Sequence, residues 1–339
     1  MKAGYGCSPI AYQDTIICSV GGPGQSVVAF RQDSGAIVWK SGDFLVSETA
    51  PILIGLNGQQ QLIIVGGGTV NGLDPATGRV LWSHPHDPGN DLNINTPIFT
   101  STDNILFVSS AYKAGSRAIR LSQKDGRTYP QELWFSNRVR YMFLSALRIG
   151  DYLYGTAGDL GPSFLTAMDN KTGQMVWQHR GIGRASMVYA DGKAILLEED
   201  GDLDLVKLAP EGVTVLSQLK LFDTMSWTAP TLAGTTLYAR DREKIVALDV
   251  GKPGADRQPF GISEPSEPLR PAPTLPTPPS PDLSGAWKFD AARSTVSTAT
   301  LPGLIKAGAP QVLHITHAAN GTVIVESQIN ESHARLFKP

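Results

Sequence analysis

The sequence predicts an all-β fold in which four-stranded blades repeat around an axis, a β-propeller. Three observations predict it. A segment built as apolar run, turn with glycine, apolar run, tryptophan recurs along the chain, as in "VNGLDPATGRVLW" from Val70 to Trp82. A proline-opened strand, a short turn and a β-rich run precede each copy, as in "APILIGLNG" followed by "QLIIVGG". No copy contains a sustained helical period, whereas β-branched and aromatic residues bounded by Gly, Asn and Asp are plentiful.

The copies can be placed in phase. "VVAFRQDSGAIVW" ends at Trp39 after Gly35, and the opening segment ends at Trp82 after Gly78. "RAIRLSQKDGRTYPQELW" ends at Trp134 after Gly126 with a longer turn, and "FLTAMDNKTGQMVW" ends at Trp177 after Gly173. "DLVKLAPEGVTVL" keeps Gly212 and puts Leu216 at the tryptophan position; "EKIVALDVG" keeps the acid, Asp249, and then stops. With Arg31, Asp74, Ser122, Asp169, Ala209 and Asp249 as one position, the steps are 43, 48, 47, 40 and 40 residues. Periods in this range belong to solenoids, propellers and arrays, and four strands per period select the propeller. Within the turn, Asp and Thr side chains bond nearby backbone N–H groups and glycine supplies a positive φ. The indole is then placed to cover the seam to the next blade, so Trp39, Trp82, Trp134 and Trp177 read as architecture.

Five units are complete, and a sixth, Trp227 to Val250, has three strands. Only "MKAGYG" precedes the first strand, so the expectation is a fragment of an eight-bladed parent, with a strained six-bladed ring as the alternative. The domain reading is a propeller over 1–250, a Pro-rich linker over 251–281 and a small, incomplete β module over 282–339. The linker contains eight prolines in the seventeen residues Pro265 to Pro281 and cannot pair as sheet. In the last module an Asn320–Gly321 hairpin turn is expected, since Asn–Gly suits type I′ geometry.

Composition narrows the function classes. The chain has 339 residues, 18% charged, with net charge −2, which gives no electrostatic footprint for nucleic acid. No apolar run reaches the length of a membrane-spanning helix, and no export signal opens the chain. Cys7 and Cys18 are the only cysteines and read as two buried thiols, without disulfide framework or zinc spacing. No G-x-S-x-G or Walker loop is present, and the glycine-rich stretches precede strands, where no helix N-terminus is available for phosphate.

The strand–"LDPATG"–strand–Trp unit resembles the repeat of pyrroloquinoline quinone-like β-propellers over about residues 5 to 250. That superfamily contains quinoprotein alcohol dehydrogenases and the propeller subunit of the bacterial outer-membrane assembly machinery. "GYGCSPIAY" and "KIVALDV" are similar to exported bacterial proteins of this kind, so the resemblance implies a periplasmic or extracellular parent. The Gly285–Ala286–Trp287 entry of the last module weakly resembles the start of lipocalin-like barrels. In the dehydrogenases, Glu, Asn and Asp hold calcium, and the quinone stacks between a tryptophan and a disulfide of adjacent cysteines. This chain has no adjacent cysteines and no alignable ligand trio.

What it offers instead lies in the loops before the first strands of the blades. "HDPGNDLNINTP" supplies Asp87, Asn90 and Asp91 as oxygen donors for calcium, with Asn93 and Asn95 behind them; the same residue types are ordinary in turns. His84 and His86 sit beside Asp87 without a nameable third metal ligand. Trp227 departs from the repeat and is the one candidate for stacking a flat cofactor such as the quinone. Ser8, Thr49, Thr96, Ser145, Ser186 and Thr228 recur in phase and read as a polar ring holding water around the channel. Arg138, Arg140, Tyr141 and Arg184 read as solvated loop residues, with an anionic ligand as the alternative. The reading favoured is a non-catalytic scaffold that binds protein or a small molecule at the propeller face. A quinone- and calcium-dependent dehydrogenase and a glycan-binding module are the alternatives.

Overall fold

The computed structural model describes residues 6–142, 146–158 and 161–251, together with four strands further on. Among them there is no helix. Chain contacts divide into two units, Met1–Phe260 and Gly261–Pro339.

The first unit is a succession of antiparallel sheets, each with its strands in chain order. Blade 1 is Ile10–Tyr12, Thr15–Ser19, Val27–Arg31 and Ile37–Ser41; blade 2 is Ile52–Leu56, Gln59–Val65, Thr69–Leu73 and Val80–Pro85. Blade 3 is Ile98–Thr100, Ile105–Ser110, Gly115–Lys124 and Arg127–Ser136; blade 4 is Leu147–Ile149, Tyr152–Ala157, Phe164–Asp169 and Met175–His179. Blade 5 is Ala185–Ala190, Lys193–Glu198, Asp202–Ala209 and Gly212–Lys220, and blade 6 has Thr231–Ala233, Thr236–Arg240 and Ile245–Asp249. The middle strands carry the buried residues, as in Ile105–Ser110, where all six are buried. The fourth strands alternate toward solvent around a buried tryptophan.

Each blade buries itself against its successor. One apolar cluster joins blades 1 and 2 through Ala29, Trp39, Leu62 and Leu73, and another joins blades 2 and 3 through Val70, Trp82, Leu106 and Ile119. Further clusters join 3 to 4, 4 to 5 and 5 to 6. A blade therefore has no complete core of its own, which is the physical sense of a repeat.

A β-bulge sets the tryptophan in each complete blade but the fifth. Ala29 pairs Trp39 and Phe30 pairs Ile37, so Val38 is the extra residue; Leu81, Leu133 and Val176 occupy the same place. The residue facing the indole across the ladder is small each time: Ala29, Gly72, Ala118 or Ala167. At Gly72 a Cβ would lie 2.1 Å from Trp82 Nε1, so the indole lies flat over that backbone. In blade 5 the bulge is at Leu216, and Ser217 faces Leu205. Ser217, and not Leu216, therefore stands where the other blades have tryptophan. The shift follows from the hairpin: blades 3 and 5 extend their ladders to Lys124↔Arg127 and Ala209↔Gly212, so spacing counted from the turn glycine no longer measures distance from the bulge. By the same register Arg120 and Lys207, not Ser122 and Ala209, are the counterparts of Asp74.

The Asp–x–x–Thr–Gly corner is closed by its own side chains. Asp74 Oδ1 accepts the Ala76 N–H at 2.9 Å, and the Gly78 N–H donates to the Asp74 carbonyl at 2.8 Å. Asp169 Oδ1 accepts from Lys171 and Thr172, both at 2.8 Å, and the Gly173 N–H donates to the Asp169 carbonyl. Gly78 has φ +76°, and a Cβ there would stand 2.5 Å from the Trp39 ring of the preceding blade. Gly78→Ala should therefore cost about 2–4 kcal/mol from positive φ and overlap together. Gly126→Ala, at φ +71° with open space around its Cβ, should cost only about 1 kcal/mol. Urea midpoints of the two variants check the contrast, and equal losses would remove the ring contact from the account.

Of the N-terminal cysteines, both are free and partly exposed, so the buried-thiol expectation fails; Cys7 precedes the first strand and Cys18 lies on the second strand of blade 1. In the second unit, Gly285–Lys288, Val312–His317, Val323–Ile329 and Ser332–Arg335 pair in order as one antiparallel sheet. Its central hairpin pairs His317 with Val323; the expected Asn320–Gly321 turn lies outside the described residues. The linker over 265–281 lies outside the described residues.

Candidate functional site

The loops that lead from one blade into the next form a buried polar belt. Ser47 anchors the second: its hydroxyl donates to the carbonyls of Asp91 and Asn93 at 2.9 Å, and accepts the Asn93 N–H at 2.6 Å. Asn93 then donates to the Gly66 carbonyl at 2.6 Å and accepts from Ser110, whose hydroxyl also meets His86 Nε2 at 3.3 Å. Asn95 donates to the Tyr141 carbonyl, and the Tyr141 N–H donates to Ser109 at 3.0 Å. These bonds satisfy loop backbone that would otherwise be buried without partners. His86 is fully buried, and desolvation holds its imidazole down to about 3, so it is neutral at any working pH.

The candidate residues distribute along this belt. Asp87 Oδ1 accepts the Gly89 N–H at 2.7 Å and Asn90 Oδ1 accepts the Leu92 N–H at 3.2 Å, so both oxygens serve their own turn. Asp91 has φ +63° and gives its carbonyl to Ser47. His84 turns away, 3.9 Å from the Glu132 carboxylate. Among the described residues no three His, Cys, Asp or Glu stand together as a metal site. Thr49 and Ser186 are buried in the belt, Ser8 and Thr228 lie toward solvent, and Ser145 lies outside the described residues.

Two expectations of solvated loops fail. Tyr141 is fully buried, its hydroxyl 3.1 Å from Thr166, and burial pushes its phenol up to about 12. Arg184 is 8% exposed; its guanidinium meets Glu199 at 2.7 Å and the Gly161 carbonyl at 3.1 Å. Both loops fold inward over the blade ends, where a long side chain finds backbone partners.

That Arg184–Glu199 pair holds an exposed tryptophan. Trp227 is 43% exposed, and its indole N–H donates to Glu199 Oε2 at 3.0 Å. The Arg242 guanidinium stands 6.0 Å from the ring centre and donates to the Met225 sulfur at 3.1 Å. An aromatic ring, two arginines and a methionine thus share one loop end between blades 5 and 6. One ring face is directed at Arg242 and the ring nitrogen is engaged. With Asp87 and Asn90 bound to their own turns and Cys7 and Cys18 apart in sequence, the described residues do not assemble a quinone and calcium cradle.

Sequence spacing gave no sign of the buried carboxyl pair beside this loop. Glu198 accepts the Gly183 N–H at 2.7 Å, and desolvation, followed by the neighbouring Asp204 carboxyl, pushes it up to about 8. Asp204 is fully buried. Burial disfavours the charged form of the Glu198 carboxyl.

The family model described as outer membrane protein assembly factor BamB matches residues 23–181 and, in a second placement, 66–220. Among solved structures, BamB from Moraxella catarrhalis aligns at 16% identity and TM-score 0.48, covering 70% of this chain and 67% of that one. The computationally designed Ika8 protein aligns at 15% identity and TM-score 0.50, covering 72% and 70%. A europium-containing methanol dehydrogenase aligns at 10% identity and TM-score 0.46, covering 72% and 66%. A search of curated proteins finds no match. The second family placement begins one blade after the first, as a repeat requires. Together the placements span more than half of the chain, and the chain belongs to the outer membrane protein assembly factor BamB family.

Proposed function

We propose that this chain is a non-catalytic, extracytoplasmic scaffold that binds polypeptide at the loop end carrying Trp227. The observation that carries the reading is the Trp227–Arg242–Met225 patch, exposed yet held in place by Glu199 and Arg184. Tryptophan and arginine dominate binding energy at protein interfaces, and a ring fixed before contact loses little entropy on binding. The family description, an assembly factor for outer membrane proteins, supplies the class of partner: unfolded outer-membrane β-barrel polypeptide.

The test is binding of a urea-solubilised β-barrel protein, diluted into buffer, to the full chain and to Trp227→Ala. The variant should bind at least tenfold more weakly, about 1.4 kcal/mol or more, with an unchanged melting temperature. Equal affinity would overturn the reading. Titration with pyrroloquinoline quinone and calcium in parallel distinguishes the dehydrogenase alternative, which requires saturable quinone binding and dye reduction by alcohols.

A further inference from the structure

The fifth seam differs from the four before it. At seam 1–2 the Trp39 indole rests on a leucine ladder of the next blade, Leu53, Leu62 and Leu73, and donates to the Pro75 carbonyl at 3.2 Å. Trp134 donates to the Asn170 carbonyl at 2.8 Å, and Trp177 to the Ala209 carbonyl at 2.9 Å.

Blade 6 repeats the receiving half of that arrangement. Leu232 pairs Leu237, and Leu237 pairs Leu248, as Leu53 pairs Leu62 and Leu62 pairs Leu73. Val250 follows Asp249 as Pro75 follows Asp74 and Asn170 follows Asp169. Its N–H bonds back to Thr235 at 2.8 Å, as that of Asn170 bonds back to Asp151 at 2.9 Å. The delivering half is missing, because Ser217 occupies the tryptophan register. Leu205, opposite it, is larger than the alanine or glycine found elsewhere and takes up only part of the space. What remains is a cleft of about 840 Å³ floored by Leu232, Leu237 and Leu248 and walled by Leu205, Ser217 and Leu219, with Val250 at its edge. At the mouth Lys193 and Asp191 pair with each other at 3.3 Å, and the carboxyls of Asp204 and Asp249 also line the cleft.

We propose that this cleft binds an indole ring supplied by a tryptophan side chain of a partner polypeptide, with the Val250 carbonyl as acceptor for the indole N–H. The proposal rests on the scaffold reading for the source of the ring, and on the internal repeat for its chemistry. Within this fold the same leucine ladder and the same carbonyl position already receive an indole. A volume of this size accommodates one with its flanking backbone.

The probe is N-acetyl-Ser-(5-fluoro-Trp)-Ser-amide, followed by fluorine NMR against the full chain. Saturable binding is expected, competed by free indole and not by the leucine tripeptide. The 1-methyl-indole analogue, lacking the N–H, should bind about five- to tenfold more weakly. Ser217→Trp should abolish binding by filling the cleft from within. Leu219→Glu, at a position 53% exposed and safe for folding, should weaken it at least tenfold. No saturable binding, or binding unchanged in both variants, overturns the cleft. Binding of free indole with no binding of the tryptophan tripeptide overturns the polypeptide source. Neither result bears on Trp227→Ala, so failure here and failure of the scaffold reading remain separate.

Discussion

Trp82→Ala is expected to lower stability by about 3–5 kcal/mol, with a further loss from the partner it leaves behind. The indole is 5% exposed and sits in the cluster that joins blades 2 and 3. Unlike Trp39, Trp134 and Trp177, it does not donate to the next blade's corner. It donates to Gln61 Oε1 at 2.8 Å within its own blade, and Gln61 Nε2 carries the connection to Thr128 of blade 3 at 2.7 Å. Gln59 accepts from Gln61 at 3.1 Å and from Gln123 of blade 3 at 2.6 Å. Gln61 is fully buried, so truncating the indole strands its carbonyl oxygen; an unsatisfied buried acceptor costs about 1–3 kcal/mol more. Trp177→Ala, at a partly buried ring, should cost less. Urea denaturation of both variants gives the ranking, and a loss under 1 kcal/mol for Trp82→Ala would mean that the seam is held by its aliphatic residues alone.

Glu198→Gln should flatten the stability profile at its alkaline end. An unfolded Glu198 releases its proton near the ordinary value of 4.5, whereas the folded carboxyl holds it to about 8. Between those values unfolding releases a proton, so stability falls as pH rises through the window. The groups that face it are the Gly183 N–H and the carboxyls of Asp204 and Asp200. His86 acts in the opposite sense. Its folded value near 3 lies below the unfolded 6.5, so stability falls as pH drops between them. The wild-type melting temperature should therefore be highest between about 4.5 and 6.5 and decline on both sides. Glutamine keeps the acceptor for Gly183 and removes the titration, and should raise stability at pH 8 relative to the wild type. An unchanged thermal profile between pH 6.5 and 8.5 would count against the raised Glu198 carboxyl.

The features legible in the sequence were those set by local chemistry. The Asp–x–x–Thr–Gly corner closes through bonds within five residues, so it can be read without knowing the neighbours. The seam tryptophans were legible because they recur in phase with it. The small residue opposite the indole was also legible two positions before Asp74 and Asp169, though it acquires meaning only once the ladder pairs it. Ser217 was misread because blades 3 and 5 lengthen the hairpin beyond the bulge, and the turn glycine then carries no information about register. Tyr141 and Arg184 were misread because their burial depends on loops folding across neighbouring blades. Gln61 gives no local signal of its seam role, since the partners that carry it lie 21 and 67 residues away.

Because Gln61 and Thr128 take over what a corner carbonyl does elsewhere, the tip of the third hairpin is released from holding its neighbour. Asp125 and Gly126 both have positive φ, and nothing crowds the glycine's missing side chain. Extra residues or a grafted epitope inserted between Asp125 and Gly126 would leave the adjoining indole seated. The matching corner at Thr77–Gly78 has no such latitude, which makes the third hairpin the natural place to attach a tag or to reshape the molecule.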